Sequence, residues 1–158
     1  MTKEKFNKIS LGKESKDIRK ELRFIQVFKN STWKITFSFP HREGKIKDRG
    51  KVTQKYIDGK YIHTILTTVR KEKVETITLW NEKEKRAEQW RISIEGKLLK
   101  MICEPTKTKN RYYWSGDTDV GKYKAYVDYT PRLISWEGKY YRDGKFESAE
   151  SGNAVPVK

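Results

Sequence analysis

Cysteine occurs once in the 158 residues, at Cys103, so no intrachain disulfide can form and paired-cysteine zinc or redox motifs are excluded. Histidine occurs twice, at His41 and His63, without HExxH spacing or a neighbouring cysteine, which argues against a metal centre. No stretch approaches the roughly 18 uninterrupted apolar residues of a membrane span. The start MTKEKFNKIS lacks the apolar centre of a secretion signal. A reducing, cytoplasmic setting is the expectation. Internal repeats and Pro-rich linkers are missing, and the only low-complexity block is the Lys-rich start. Acidic residues are also scarce beside basic ones: 21 Asp and Glu stand against 36 Lys and Arg, a formal charge of +15. That charge attracts anions in general and does not choose among nucleic acid, anionic lipid and acidic small molecules.

What is present is a β pattern with many aromatics, 13% of the chain, which gives the large apolar bodies that disordered sequences lack. Residues 1–14 are polar and aperiodic and read as a flexible lead-in. Ile18, Leu22, Ile25 and Phe28 then recur at helical spacing, with Ser15 as a cap and Asp17 in the first turn, so the pattern predicts a helix of about four turns over 15–29. After Asn30 the period drops to two: Trp33, Ile35, Phe37 and Phe39 alternate with Lys34, Thr36 and Ser38. Pro40 ends that strand, and residues 41–50 read as a polar loop. Strands follow at about 51–58, 61–70, 74–81, 86–95, 97–104, 110–116, 121–129, 132–142 and 145–150. Asp58-Gly59 and Asp143-Gly144 are two-residue hairpin signals, with Glu95-Gly96 a weaker one. A meander of this length leaves long unpaired edges unless it closes. The expected fold is therefore mainly β, an antiparallel up-and-down closed barrel of about ten strands behind an N-terminal amphipathic helix. One domain covers 15–150, and 151–158 reads as a tail.

A helix, a Trp at the start of the first strand (Phe28-Lys-Asn-Ser-Thr-Trp33) and an up-and-down array ending in an aromatic hairpin together resemble the calycin superfamily, in particular small bacterial lipocalin-like domains of unknown function. The resemblance spans about residues 18–150. Lipocalins usually carry Gly two positions before the Trp, where this chain has Ser31. The resemblance implies that Trp33 plugs one barrel end with Arg132 or Arg142 packed across its indole. Nitrobindin-like haem proteins hold iron through a late His, and no His follows His63, so a haem role does not carry over. Fatty-acid-binding proteins insert their helices after the first strand rather than before it.

Few residues suggest chemistry. Asp117 and Asp119 share one short loop, but the alternating oxygen ligands and terminal Glu of a calcium loop are missing, and a plain turn is the reading. No Ser/His/Asp or Cys/His arrangement stands out, so no catalytic residue is assigned, and neither a cofactor nor a metal is called for. A barrel enzyme built on His63 and a Tyr ranks behind two binding readings.

The first is a noncatalytic carrier or sensor that takes a small, partly apolar or amphipathic ligand, with an anionic group allowed, in the barrel cavity. Its expected lining is Trp33, His63, Arg91, Tyr112, Trp114, Tyr126, Arg132 and Trp136, with Arg91 or Arg132 for a carboxylate. Alternation puts Tyr112 and Trp114 on one face and Tyr113 on the other, without saying which face points inward. The second reading is a nucleic-acid-binding barrel in which Tyr113 stacks on bases while Lys109, Arg111, Lys122 and Lys124 meet phosphate. The sequence sets no oligomeric state.

Overall fold

The computed structural model describes residues 1–25 and 29–157. The chain is mainly β, a closed antiparallel ten-stranded barrel with one short N-terminal helix. That helix, α1, spans Lys3–Ser10, inside the segment expected to be a flexible lead-in. Thr2 caps it by accepting the Lys5 N–H at 3.1 Å, and Phe6 and Ile9 are its buried residues. They pack on Ile57 and Ile77 at the barrel's outer surface. Two buried apolar residues three apart make so short a helix worthwhile; its propensity alone does not.

The helix expected over 15–29 does not form in the described residues 15–25, and the Phe28 end of that expectation lies outside the described residues. Instead β1, Glu14–Ser15, pairs with Ile57 and Tyr56, and a single 3-10 turn occupies Lys20–Leu22. Ser15 Oγ is not a helix cap. It accepts the Gly59 N–H at 2.8 Å, while the Arg19 N–H donates to the Gly59 carbonyl, tying the segment to a hairpin turn. Ile18, Leu22 and Ile25 read as a helical stripe because all three are buried, but what buries them is the end of the barrel, where they meet Tyr56, Ile62 and Trp114. Tertiary burial overrides the local period here.

The wall consists of β2 (Asn30–Phe39), β3 (Arg42–Ile57), β4 (Tyr61–Thr68), β5 (Lys73–Asn81), β6 (Arg86–Ile92), β7 (Leu98–Pro105), β8 (Arg111–Asp117), β9 (Lys122–Tyr129), β10 (Ile134–Arg142) and β11 (Lys145–Pro156). Each pairs antiparallel with the next, and β11 returns to β2 from Ala149↔Ser38 to Pro156↔Ser31. Residues 151–156, expected as tail, thus supply much of the closing seam. Residues 42–50, expected as loop, are strand too, paired with β2 over most of their length. Their strand character is hidden because Lys45, Lys47 and Arg49 face solvent while Asp48 and Gly50 face in, so no apolar alternation exists to read.

The hairpins form where the sequence signals them. Asp143 and Gly144 take φ of 50° and 77° in a two-residue turn between the paired Arg142 and Lys145, and Asp58 and Gly59 take 53° and 66° in a connection one residue longer between Ile57 and Tyr61, both with two left-handed positions. Register then fixes the faces. Trp33, Tyr56, Ile62, Trp80, Tyr112, Trp114, Trp136 and Tyr140 point inward, and their neighbours in sequence point out. The inner rings lie flat on the wall: a Cβ on Gly152 would sit 2.3 Å from the Trp136 ring, and one on Gly138 would sit 2.4 Å from the Tyr123 hydroxyl.

Candidate functional site

Four neighbouring strands place polar side chains in one row along the inner wall. Gln54 of β3 is opposite Thr64 of β4, Thr64 opposite Thr76 of β5, and Thr76 opposite Arg91 of β6. In this row Gln54 Oε1, Thr76 Oγ1 and Arg91 Nε are buried and have no hydrogen-bond partner among the described residues. Trp33 Nε1 and Tyr56 OH, also inward-facing, share that condition. An unsatisfied buried polar group costs about 1–3 kcal/mol, so a row of them is an exception that asks for a cause. One row further along, the same strand satisfies its hydroxyl: Thr78 Oγ1 accepts from Gln89 Nε2 at 3.4 Å.

Arg91 stands at the barrel end away from the Ile18–Ile25 closure. Its Nη2 bonds Asp119 Oδ2 at 2.8 Å, and Asp119 Oδ1 accepts the Ile94 N–H at 3.2 Å. The loop that resembled a cation site is thus the clamp that holds the guanidinium at the rim.

On the facing wall Glu150 of β11 is buried and accepts from both tyrosine hydroxyls beside it, Tyr123 of β9 and Tyr140 of β10, the latter at 3.0 Å. Burial pushes the Glu150 carboxyl above its ordinary value, against the bonds from Tyr123, Tyr140 and Trp136 that favour the carboxylate. Burial and the adjacent Glu150 push both hydroxyls up as well. Nearer the closed end Trp114 Nε1 donates to Tyr129 OH at 3.0 Å, and Phe24 stacks on Tyr112 with centroids 3.8 Å apart. The buried Cys103 thiol is pushed up by burial, which leaves it protonated and inert.

Of the expected lining, Trp33, Arg91, Tyr112, Trp114 and Trp136 face the interior. Three residues do not. His63 follows the inward Ile62 and so points out of the barrel, where Nε2 lies 3.3 Å from Glu75 Oε2 and Lys73 holds the same carboxylate at 2.7 Å. Tyr126 lies between the inward Ala125 and Val127 and is 46% exposed on the outside. Arg132 sits exposed in the turn between β9 and β10, and Arg142 forms an ion pair with Glu147 and donates to the Val120 carbonyl at the far end of β10. Among the described residues neither arginine lies over the Trp33 ring. Gln54, Thr76 and Glu150 were missed, since polar residues at strand positions read as the solvent side.

No family model matches this chain, and no curated protein matches it in sequence. The closed ten-stranded barrel is compatible with the calycin architecture. No helix is long and apolar enough to cross a membrane, and no three His, Cys, Asp or Glu side chains gather into a metal-binding group among the described residues.

The outer wall of β8–β11 forms a second feature, a groove of about 640 Å³ lined by Arg111, Tyr113, Lys124, Tyr126, Lys139 and Tyr141 with neighbours from β2, β3 and β11. Tyr113 and Tyr126 are cross-strand partners with ring centroids 5.2 Å apart. Burial and the nearby Tyr126 and Tyr141 push the Tyr113 hydroxyl up. Of the five residues read as a nucleic-acid set, Arg111, Tyr113 and Lys124 line this groove. Lys109 lies in the turn before β8, and Lys122 is paired with Asp117.

Proposed function

We propose that the barrel interior binds a small, partly apolar ligand with an anionic group, and that the protein is a noncatalytic carrier or sensor of it, in keeping with the lipocalin-like resemblance. The observation that supports this most is the inner row of Gln54, Thr76 and Arg91, whose buried polar atoms have no partner within the described protein. A polar group kept at a cost to stability is explained when its partner is the ligand. The ligand's acidic end belongs at Arg91, whose Nε is free while Nη2 is held by Asp119. Glu150 on the facing wall disfavours a second carboxylate beside it. The apolar body then lies among Trp33, Trp136 and Tyr112, with indole and phenol edges supplying specificity.

Dodecanoate is a suitable probe. At a hundredfold excess over its Kd it stabilises the native state by about 2.7 kcal/mol, a rise in Tm of about 5–11 °C for a domain of this size. Arg91→Met reduces that rise, because Asp119 at the rim remains hydrated while the ligand's carboxylate loses its donor. If dodecanoate and aromatic carboxylates leave Tm unchanged in the wild type, the interior is not a ligand site.

A further inference from the structure

The interior reading leaves the groove on the outer wall of β8–β11 without a role. The groove's cations are not neutralised: Arg111, Lys124, Lys139 and Lys45 make no ion pair within 4.0 Å among the described residues. Two of them, Arg111 and Lys124, lie on aromatic rings. The Arg111 guanidinium is 4.8 Å from the Tyr126 centroid and Lys124 Nζ is 5.4 Å from that of Tyr141. A second groove of about 570 Å³ continues the basic strip round the wall past Lys34, Lys47 and Arg49. The wall is also free, since α1 packs on the far side of the barrel, against β5.

We propose that this outer groove binds single-stranded nucleic acid, with bases against Tyr113, Tyr126 and the Arg111 guanidinium and phosphates along Lys45, Lys124 and Lys139. Planar rings and a guanidinium plane stack on bases of any sequence, while lysines on the same wall meet the backbone. Two carboxylates bear on the orientation. Glu137 is the cross-strand partner of Tyr126, and Asp128 that of Arg111. They repel a phosphate at the aromatic centre and accept from base amino groups, so the bases face the rings and the backbone runs over the lysines. An anionic lipid surface would use the cations but has no use for a pair of tyrosine rings tilted 46° to each other beside carboxylates. A duplex hides the base faces that the rings would contact.

Fluorescence anisotropy tests this with a labelled mixed-sequence single strand of about 15 nucleotides, a length that spans a site of this kind. Binding should weaken as salt rises from about 50 to 200 mM, with a log–log slope of about −0.7 per phosphate neutralised. Tyr126→Ala should weaken it about 5- to 150-fold, and Tyr126→Phe should keep most of it. Lys124→Ala should flatten the salt slope by about 0.7. Tyr126 is on the surface, so an unchanged melting temperature confirms that the variant folds, and Lys83→Ala, in a turn at the other barrel end, should leave affinity as it was. Three results overturn the proposal: equal affinity for a duplex of the same length, no loss of affinity in Tyr126→Ala, or tighter binding to phosphatidylserine vesicles that displaces the oligonucleotide. Dodecanoate binding in Tyr126→Ala stays intact in every case, which keeps this test separate from that of the interior.

Discussion

Two threonines two residues apart on the inner face of β5 should respond to the same substitution with opposite signs. Thr76 Oγ1 is buried without a partner among the described residues, whereas Thr78 Oγ1 accepts from Gln89 Nε2. Replacing Thr76 by Val keeps the branched shape and removes a hydroxyl whose desolvation costs about 1–3 kcal/mol. The gain, set against small losses from an imperfect fit, should be about 1–2 kcal/mol, a rise in Tm of about 2–8 °C. Thr78→Val leaves the Gln89 amide without its acceptor in a fully buried place and should cost about 1 kcal/mol or more. Urea unfolding followed by tryptophan fluorescence separates the two cases: the midpoints should move in opposite directions at constant m. If Thr76→Val loses more than about 1 kcal/mol, its hydroxyl has a stabilising partner in the free protein and the unpaired row is not a reserved binding feature. The stabilised Thr76→Val variant should also bind dodecanoate more weakly, which a purely structural hydroxyl would not cause.

The remaining expectations concern the facing wall. Tyr123 and Tyr140 have folded-state values raised above the ordinary 10.0, so their contribution is fully present below pH 10.0 and is lost as pH rises beyond it. Each costs about 1.4 kcal/mol per pH unit in that range, and Tyr140→Phe should halve the slope of urea midpoint against pH. Glu150 is also raised, from 4.5, so its contribution is present below that value and falls away as pH climbs through the folded one. Glu150→Gln should therefore flatten the stability profile measured from about pH 4 to pH 8, and an unchanged profile would show that Glu150 stays charged without penalty. Gly152→Ala puts a methyl 2.3 Å from the Trp136 ring and should destabilise by about 1–3 kcal/mol, with a change in near-UV dichroism as the indole is displaced.

The barrel was legible because its evidence is periodic. Trp33, Ile35, Phe37 and Phe39 alternate, and Asp-Gly pairs mark turns that no other geometry accommodates as well. The helix was misplaced because burial produces apolar spacing whether the chain coils or crosses a barrel mouth, and Ile18, Leu22 and Ile25 do the second. The site was only half legible. A sequence gives the alternation of faces but not which face is inside, so Tyr112 and Trp114 were grouped correctly while Tyr126 and His63 were assigned to the wrong side. Glu150 and Thr76 escaped because a polar strand residue normally faces water, and only register against Phe37 and Arg91 turns them inward.

Tryptophan placement offers the most direct test of the interior as a ligand site. Trp33, Trp80, Trp114 and Trp136 face inward, whereas Trp90 is on the outer surface with Lys100 Nζ 5.4 Å from its ring. Titration with a brominated dodecanoic acid, which quenches indoles at contact, should quench the wild type saturably and should quench Trp90→Phe just as strongly. Quenching that is absent, or that disappears with Trp90, would place the amphiphile on the outside and contradict a binding site within the barrel.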